Sequence, residues 1–145
     1  MSWAYFDTSA LIKRYVNEDG RREVLQFLRS HDCVTSALLS VEFQSAVRRR
    51  VADGSLDEGR VPEILKRFAG DREFWALIEV PRDVLLSAEK LVANHPLRTR
   101  DAIHVASAQL FAARLAASKL TFVRADTRPT AVAASIGLPT KDIGS

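Results

Sequence analysis

The chain has 145 residues, of which 47% are hydrophobic and 27% are charged, and its formal net charge is +3. This composition, with a mean hydropathy of −0.06, excludes a disordered chain and is typical of a globular protein that buries about 70% of its unfolded surface. The single cysteine, Cys33, excludes an intramolecular disulfide, and no Cys/His spacing of the zinc type accompanies it, so a reducing compartment is expected.

Charge gives only a weak indication of a binding partner. The pI of about 9.3 is compatible with a polyanionic partner, but a solvated basic surface explains it more simply. No apolar run reaches the roughly 18 residues of a membrane span, and the N-terminus lacks the pattern of a secretory signal. We therefore expect a cytoplasmic protein that makes no membrane contact.

The first half of the chain alternates short apolar segments with helical patterns. Ser36 is predicted to cap the longest helix of this half at its N-terminus, and Gly54 is predicted to end it. The predicted elements in chain order are a strand over 3–6, helices over 8–16 and 20–30, a strand over 33–36, and helices over 36–54 and 57–69.

The second half repeats the alternation. Its predicted elements are a strand over 74–80, a helix from Pro81 to near Asn94, a helix over 97–118, a strand over 120–125, a helix over 129–136 closed by Gly137, and a short strand over 138–142. Strands that alternate with helices indicate an α/β three-layer sandwich, in which a mostly parallel sheet of four to five strands lies between helices. Without a repeat or linker, residues 1–145 are expected to form one domain.

Two acidic residues follow predicted strands directly. Asp7 comes after "WAYF" and Asp126 after "LTFVRA", each before a helix. In an open parallel sheet, ligands bind beyond the carboxyl ends of the strands, so these acids would face each other if the strands are neighbours. The alternative for each is that the carboxylate only caps the helix that follows.

Two further acids lie on predicted helices. Glu42 stands among small and apolar side chains, where a buried carboxylate is costly without partners; the alternative is an exposed position. Asp101 lies in the first turn of an Ala-rich helix, three residues before His104, and the alternative for it is stabilisation by the helix dipole.

A cluster of these acids would repel itself unless cations lay between its members. Hard oxygen ligands select Mg²⁺ or Mn²⁺. Such an ion can activate water and stabilise charge on a phosphodiester. A basic chain with an acidic pocket therefore indicates a metal-dependent enzyme that acts on a polyanion, in which basic residues bind the polyanion and the acids bind the metal. The candidate phosphate contacts are Arg98, Arg100, Lys13 and Arg14.

The segments that carry these acids resemble the four acidic motifs of PIN-domain nucleases, most closely the VapC toxins of bacterial toxin–antitoxin pairs. They are "YFDTSALIKRY", the glutamate of "SVEFQSA", "LRTRDAIHVASA" and "FVRADTRPTAVAASIGLP". The resemblance covers essentially the whole chain. It implies a Mg²⁺- or Mn²⁺-dependent endoribonuclease, usually a homodimer, that is held inactive by a cognate antitoxin. Operator DNA would be contacted only through the antitoxin complex.

The resemblance also implies roles for individual residues. Asp7, Glu42 and Asp101 match the three main metal-binding acids, and Asp126 matches the more variable fourth. Ser9 matches a small hydroxyl residue that would hydrogen-bond the site, although local bonding within its helix explains it equally well.

Two further residues of these motifs, Pro129 and His104, are not expected to bind the metal. Pro129, three residues after the fourth acid, would fix the start of the last helix and could draw Asp126 away from the metal. His104 is predicted to be a packed, hydrogen-bonded residue and neither a ligand nor a general base.

Two other functions are compatible with parts of the sequence. One is a non-catalytic PIN-like module that acts through a partner protein and DNA. The other is a phosphoryl-transfer or receiver-type α/β protein. It is disfavoured because "DTSA" lacks a D-x-D pattern and the third predicted strand ends in "EVP", without an aspartate to be phosphorylated.

Overall fold

The computed structural model describes residues 2–115, 119–125, 131–134 and 137–143. The strands are β1 (Trp3–Phe6), β2 (Asp32–Ser36), β3 (Ala76–Ile78), β4 (Leu120–Arg124) and β5 (Thr140–Asp142). They form one sheet in the order β3-β2-β1-β4-β5, and every neighbouring pair is parallel. The predicted α/β sandwich with a parallel sheet is confirmed.

Helices cover both faces of this sheet. The α-helices are α1 (Thr8–Leu11), α2 (Arg21–Ser30), α3 (Leu39–Ala52), α4 (Val61–Asp71), α5 (Arg82–Asn94) and α6 (Thr99–Arg114). Three 3-10 turns cover Ile12–Arg14, Glu58–Arg60 and Arg72–Phe74, and residues 131–134 are also helical. Within the described ranges, no helix is long and apolar enough to cross a bilayer.

The two faces of β1 belong to two separate hydrophobic cores. Ala4 and Phe6 pack with apolar side chains of α1, α2, α3 and α4. Tyr5 points to the other face and packs with side chains of α5 and α6. This follows from the period of two along a strand, and a strand buried on both faces reads as a continuous apolar run.

The order in which successive strands are added to the sheet reverses beside β1, while all strands stay parallel. The chain passes from β1 to β2 and β3 on one side, and it returns to the other side of β1 for β4 and β5. Phe6 pairs with Val123, and the backbone N–H of Asp7 donates to the carbonyl of Val123 at 3.1 Å. Asp7 therefore lies at the carboxyl ends of β1 and β4, the place where such sheets bind ligands.

Some predicted boundaries were wrong. Ser36 does not cap a helix, because it is the last residue of β2 and pairs with Ile78, so that α3 begins only at Leu39. Its hydroxyl instead accepts a hydrogen bond from the backbone N–H of Leu38 at 3.1 Å. Gly54 follows α3 with φ of +83°, a left-handed conformation that suits glycine and ends the helix as predicted.

Other elements are shorter than predicted. The first helix is α-helical only to Leu11 and continues as the turn Ile12–Arg14, and the third strand is confined to Ala76–Ile78 because Arg72–Phe74 form a turn. Only 131–134 of the predicted helix over 129–136 belongs to the described residues, and it is helical there.

Candidate active site

Asp7 divides its carboxylate between two tasks. Oδ1 caps α1: it accepts hydrogen bonds from the backbone N–H groups of Ser9 at 2.9 Å and Ala10 at 3.3 Å, and from the Ser9 hydroxyl. Oδ2 lies 2.8 Å from Nη1 of Arg124. The capping interpretation is therefore correct for one oxygen, and the other oxygen is directed at a cation.

Asp101 contacts the same cation. It is a buried residue in the first turn of α6, and its Oδ1 lies 2.9 Å from Nη1 of Arg124. Arg124 is the last residue of β4, and its side chain is 1% exposed. Carboxylates from two segments distant along the chain thus converge on a single guanidinium nitrogen.

Glu42 lies beside this pair on α3, with its side chain 13% exposed. Its Oε1 accepts from the Thr8 hydroxyl at 3.1 Å and lies 2.5 Å from Nε2 of His104, while Oε2 lies 3.9 Å from Nη1 of Arg100. Burial opposes ionisation, but the hydrogen bonds from His104 and Thr8 and the charge of Arg100 lower the pKa of Glu42. Glu42 is therefore a partly buried, ionised carboxylate.

His104 connects Glu42 to the interior of the sheet. Because an ionised carboxylate can only accept, Nε2 of His104 donates to Glu42. In a neutral ring, Nδ1 then accepts from the Tyr5 hydroxyl at 2.8 Å. Burial, followed by the charge of Asp7, raises the pKa of Tyr5 well above its usual value, so the phenol keeps its proton. The prediction that His104 is packed and hydrogen-bonded is confirmed.

A cleft of about 90 Å³ opens between the start of α1 and α3, with Asp7 and Glu42 among its lining residues. Its floor is carboxylate and hydroxyl, and its rim is basic. The residues that line it are Asp7, Thr8, Ser9, Ile12, Glu42, Ala46, Arg49, Arg50 and Arg100.

Not all basic residues near the cleft are equally available to a polyanion. Arg50 binds both carboxylate oxygens of Glu18, at 2.5 and 3.1 Å, and Lys13 lies 3.6 Å from the same carboxylate. Arg14 is held by Asp71 at 2.8 Å.

The remaining rim arginines suit a phosphate better. Arg49 is exposed and donates to the hydroxyl of Ser45 at 3.2 Å. Arg100 is 43% exposed and only 3.9 Å from both Glu42 and Asp101. Arg98, also a predicted contact, is exposed at the N-terminus of α6. Arg49 and Arg100 are thus the basic side chains best placed to meet a phosphate at this cleft.

The donor set can be compared with the needs of a divalent cation. Within residues 2–115, 119–125, 131–134 and 137–143, no group of three or more His, Cys, Asp or Glu side chains could hold a metal ion by itself. Asp7 and Asp101 nevertheless direct one oxygen each at a single cationic atom, Nη1 of Arg124. Mg²⁺ is commonly held by one or two carboxylates, with waters and substrate phosphates as its other ligands. Among the residues that the structure describes, the two aspartates fit an ion of that kind, and these residues do not form an all-protein cage.

Of the other predicted site residues, Ser9 is described by the structure and Asp126 is not. Asp126 and Pro129 lie outside the described residues, and the role predicted for Asp126 stays a prediction. The Ser9 hydroxyl donates to Asp7 and accepts from the backbone N–H of Ala125 at 3.1 Å, so it ties α1 to the end of β4.

Sequence reasoning missed the residue at the centre of the site. The pattern of "LTFVRA" predicts a strand that contains Arg124, and it gives this residue no role in the site. The available signal was a charged residue inside an otherwise apolar segment, because a buried charge requires a partner of opposite sign. Thr8 was also missed, because a hydroxyl residue at the start of a helix carries no distinctive pattern.

Comparisons with known proteins identify the family to which the sequence belongs. The sequence model of the PIN domain matches residues 4–134. No curated protein matches the chain significantly. Several solved structures share its fold at low sequence identity.

Three of these structures illustrate the range. A toxin–antitoxin complex from Klebsiella pneumoniae has a TM-score of 0.64 and 22% identity, and the match covers 88% of this chain and 90% of that one. For FitAcB from Neisseria gonorrhoeae the TM-score is 0.65 at 15% identity, with 96% of each chain covered. For DNA-bound VapBC from Salmonella typhimurium it is 0.66 at 15% identity, with 98% of each chain covered.

Proposed function

The chain belongs to the PIN domain family, as its motifs indicated, and from that premise we propose that it is a Mg²⁺- or Mn²⁺-dependent endoribonuclease that acts as the toxin of a toxin–antitoxin pair. One observation carries the proposal. Asp7 and Asp101 direct carboxylate oxygens at one buried cation position, at the edge of the sheet where parallel strands of this topology bind ligands.

Asp7 and Asp101 are the proposed ligands of the divalent ion, with Glu42 and Asp126 as the further acids of the set. When bound, such an ion supplies Lewis acidity and lowers the pKa of a water molecule. The protein supplies positioning: the cap on α1 fixes Asp7, and the first turn of α6 fixes Asp101. Residues whose rotamers are locked in this way are preorganised for charge stabilisation.

The proposed substrate contacts follow from the charges at the rim. Arg100 and Arg49 line the cleft from α6 and α3, and they face the same opening as Glu42. Guanidinium groups bind phosphate oxygens in a fixed fork geometry. We propose that these two arginines hold the RNA backbone while the acids below them hold the ion.

The proposed partners rest on the family and on the neighbours' descriptions. One solved structure of similar fold is described as a toxin–antitoxin complex, and another as VapBC bound to DNA. We propose that this chain is likewise bound by a cognate antitoxin and that operator DNA is contacted through that complex. From the family resemblance we also propose that it is a cytoplasmic homodimer.

The test is cleavage of a structured RNA by the purified chain with Mg²⁺ or Mn²⁺. Asp7→Asn keeps the size and capping ability of the side chain but removes a ligand charge. We expect it to lower the cleavage rate by about 100-fold or more, the scale seen when a group that stabilises transition-state charge is lost. The matched control is Asp83→Asn, an exposed acid on α5, which we expect to leave cleavage unchanged.

Full activity in Asp7→Asn, or cleavage that survives EDTA, would contradict the proposal. RNA binding that is insensitive to EDTA and is not followed by cleavage would favour the other candidate, a PIN-like module that acts without catalysis through a partner protein and DNA.

A further inference from the structure

Arg124 is the largest side chain among the fully buried residues of the described chain. A guanidinium removed from water is tolerated only when carboxylates compensate its charge. Here one nitrogen, Nη1, lies 2.8 Å from Asp7 and 2.9 Å from Asp101. A single positive charge thus stands between two buried acids, both of which belong to the proposed metal site.

The backbone around Arg124 is fixed on both sides. Its carbonyl accepts from the N–H of Ile143 at 2.9 Å, next to β5. The following N–H, of Ala125, donates to the Ser9 hydroxyl at 3.1 Å, and the preceding carbonyl, of Val123, accepts from Asp7 at 3.1 Å. The guanidinium can therefore leave the acids only by a change of side-chain rotamer, because β4 itself is held in place.

We propose that Arg124 occupies the divalent-cation position between Asp7 and Asp101, so that metal binding at these acids must displace its guanidinium. The inference rests on the proposed function, since it takes the two aspartates to be the metal ligands. Like charges a few ångströms apart in a buried site repel strongly. A divalent ion and Nη1 of Arg124 cannot occupy the same position between Oδ2 of Asp7 and Oδ1 of Asp101.

Two consequences follow for this chain. Without metal, the single positive charge of Arg124 offsets part of the negative charge of the two acids and holds them together in the buried site. With metal, part of the binding free energy is spent on breaking the charge-assisted hydrogen bond to Asp101 and the ion pair with Asp7, so the apparent affinity for the ion is reduced. Arg124 is in this sense a positioning residue and an internal competitor for the site.

The experiment is calorimetric titration of the purified chain with Mn²⁺ in the absence of RNA. Arg124→Gln removes the competing charge and keeps a polar side chain. We expect Mn²⁺ to bind it about tenfold more tightly than it binds the wild type, because a buried like charge has been removed. The matched control is Arg100→Gln, which removes the same charge 3.9 Å from Asp101 but at a 43% exposed side chain. Its effect should be about threefold or less, because solvent and salt screen exposed charges.

A second measurement uses the wild type, so its result does not depend on whether Arg124→Gln folds correctly. The side-chain Nε–H resonance of Arg124, assigned by its loss in Arg124→Lys, should shift as Mg²⁺ is added. The inference is overturned if this resonance stays unchanged at saturating Mg²⁺, or if Arg124→Gln binds Mn²⁺ no more tightly than Arg100→Gln.

Asp7→Asn separates failure of this inference from failure of the proposed function. If Asp7→Asn loses Mn²⁺ binding while Arg124→Gln gains none, the metal site stands and the competition is wrong. If Asp7→Asn binds Mn²⁺ like the wild type, the acids are not the ligands, and both the metal site and the competition are wrong.

Discussion

At the scale of single residues, Asp7 shows how one side chain can serve folding and chemistry together. Oδ1 accepts the hydrogen bonds that cap α1, and Oδ2 faces Arg124. An acid between a strand and a helix could be predicted from sequence, but the division of its two oxygens could not, because it depends on an arginine more than a hundred positions away. Glu42 is similar: its partner His104 comes from a distant segment.

The two roles of Asp7 predict different effects for two substitutions. Asn can still accept the capping hydrogen bonds, whereas Ala cannot, and both lose the negative charge beside Arg124. We therefore expect the free energy of unfolding of Asp7→Ala to be about 1 kcal/mol lower than that of Asp7→Asn, the usual value of an N-cap. Urea denaturation of the two variants measures this difference. Equal stabilities would show that the cap contributes nothing.

At the scale of elements, a polar cluster joins the turn after α1 to the end of α4. Asp71 accepts hydrogen bonds from Nε of Arg14 at 2.8 Å and from the Tyr15 hydroxyl at 2.7 Å. Beneath it, the rings of Phe43 and Phe68 stack with centroids 3.9 Å apart. The sequence predicted both helices from their apolar spacing, but it suggested Arg14 as a phosphate contact. Arg14 is disfavoured in that role because its side chain is already bound to Asp71, in a groove that is lined by neither Asp7, Glu42 nor Asp101.

This cluster predicts a pH dependence of stability. Burial opposes ionisation of Asp71, but the hydrogen bonds from Arg14 and Tyr15 overcome it and lower its pKa. A lowered pKa in the folded state contributes stability above the unfolded pKa of about 3.9, and this contribution is lost as the pH falls through the folded value. The wild type should therefore exceed Asp71→Asn in stability at pH 7, and the gap should narrow below about pH 4.

Urea midpoints at pH 7, 5 and 3 for the wild type and Asp71→Asn give the comparison. Glu89→Gln, at an exposed position in the middle of α5, serves as the control and should change the free energy of unfolding by less than about 0.5 kcal/mol. A gap between wild type and Asp71→Asn that is constant over this pH range would show that the ionised carboxylate does not stabilise the fold.

At the scale of the whole molecule, the order of the strands creates the site. Because β4 returns to lie beside β1, the carboxyl ends of both strands and the start of α6 meet at one edge of the sheet. The alternation of apolar and amphipathic segments predicted a parallel sheet. It did not predict which strands would be neighbours, since strand order is decided by long-range packing. The family resemblance, now confirmed, was what joined the motifs.

The prediction of a single domain over residues 1–145 and the role of Asp126 stay predictions. The three acids within the described residues are placed together, but as an aspartate pair bridged by Arg124 with Glu42 beside it. The arginine within "LTFVRA" was a signal, but it could not decide the matter, because a strand arginine is compatible with an exposed edge as well as with a buried pair.

The central claim is that acids from separate segments bind one divalent ion at this edge of the sheet. Anomalous diffraction from crystals soaked in Mn²⁺ tests it most directly. We predict an anomalous peak coordinated by Oδ2 of Asp7 and by a carboxylate oxygen of Asp101. Peaks found only at other places, with both aspartates still paired to Arg124 at saturating Mn²⁺, would contradict the account.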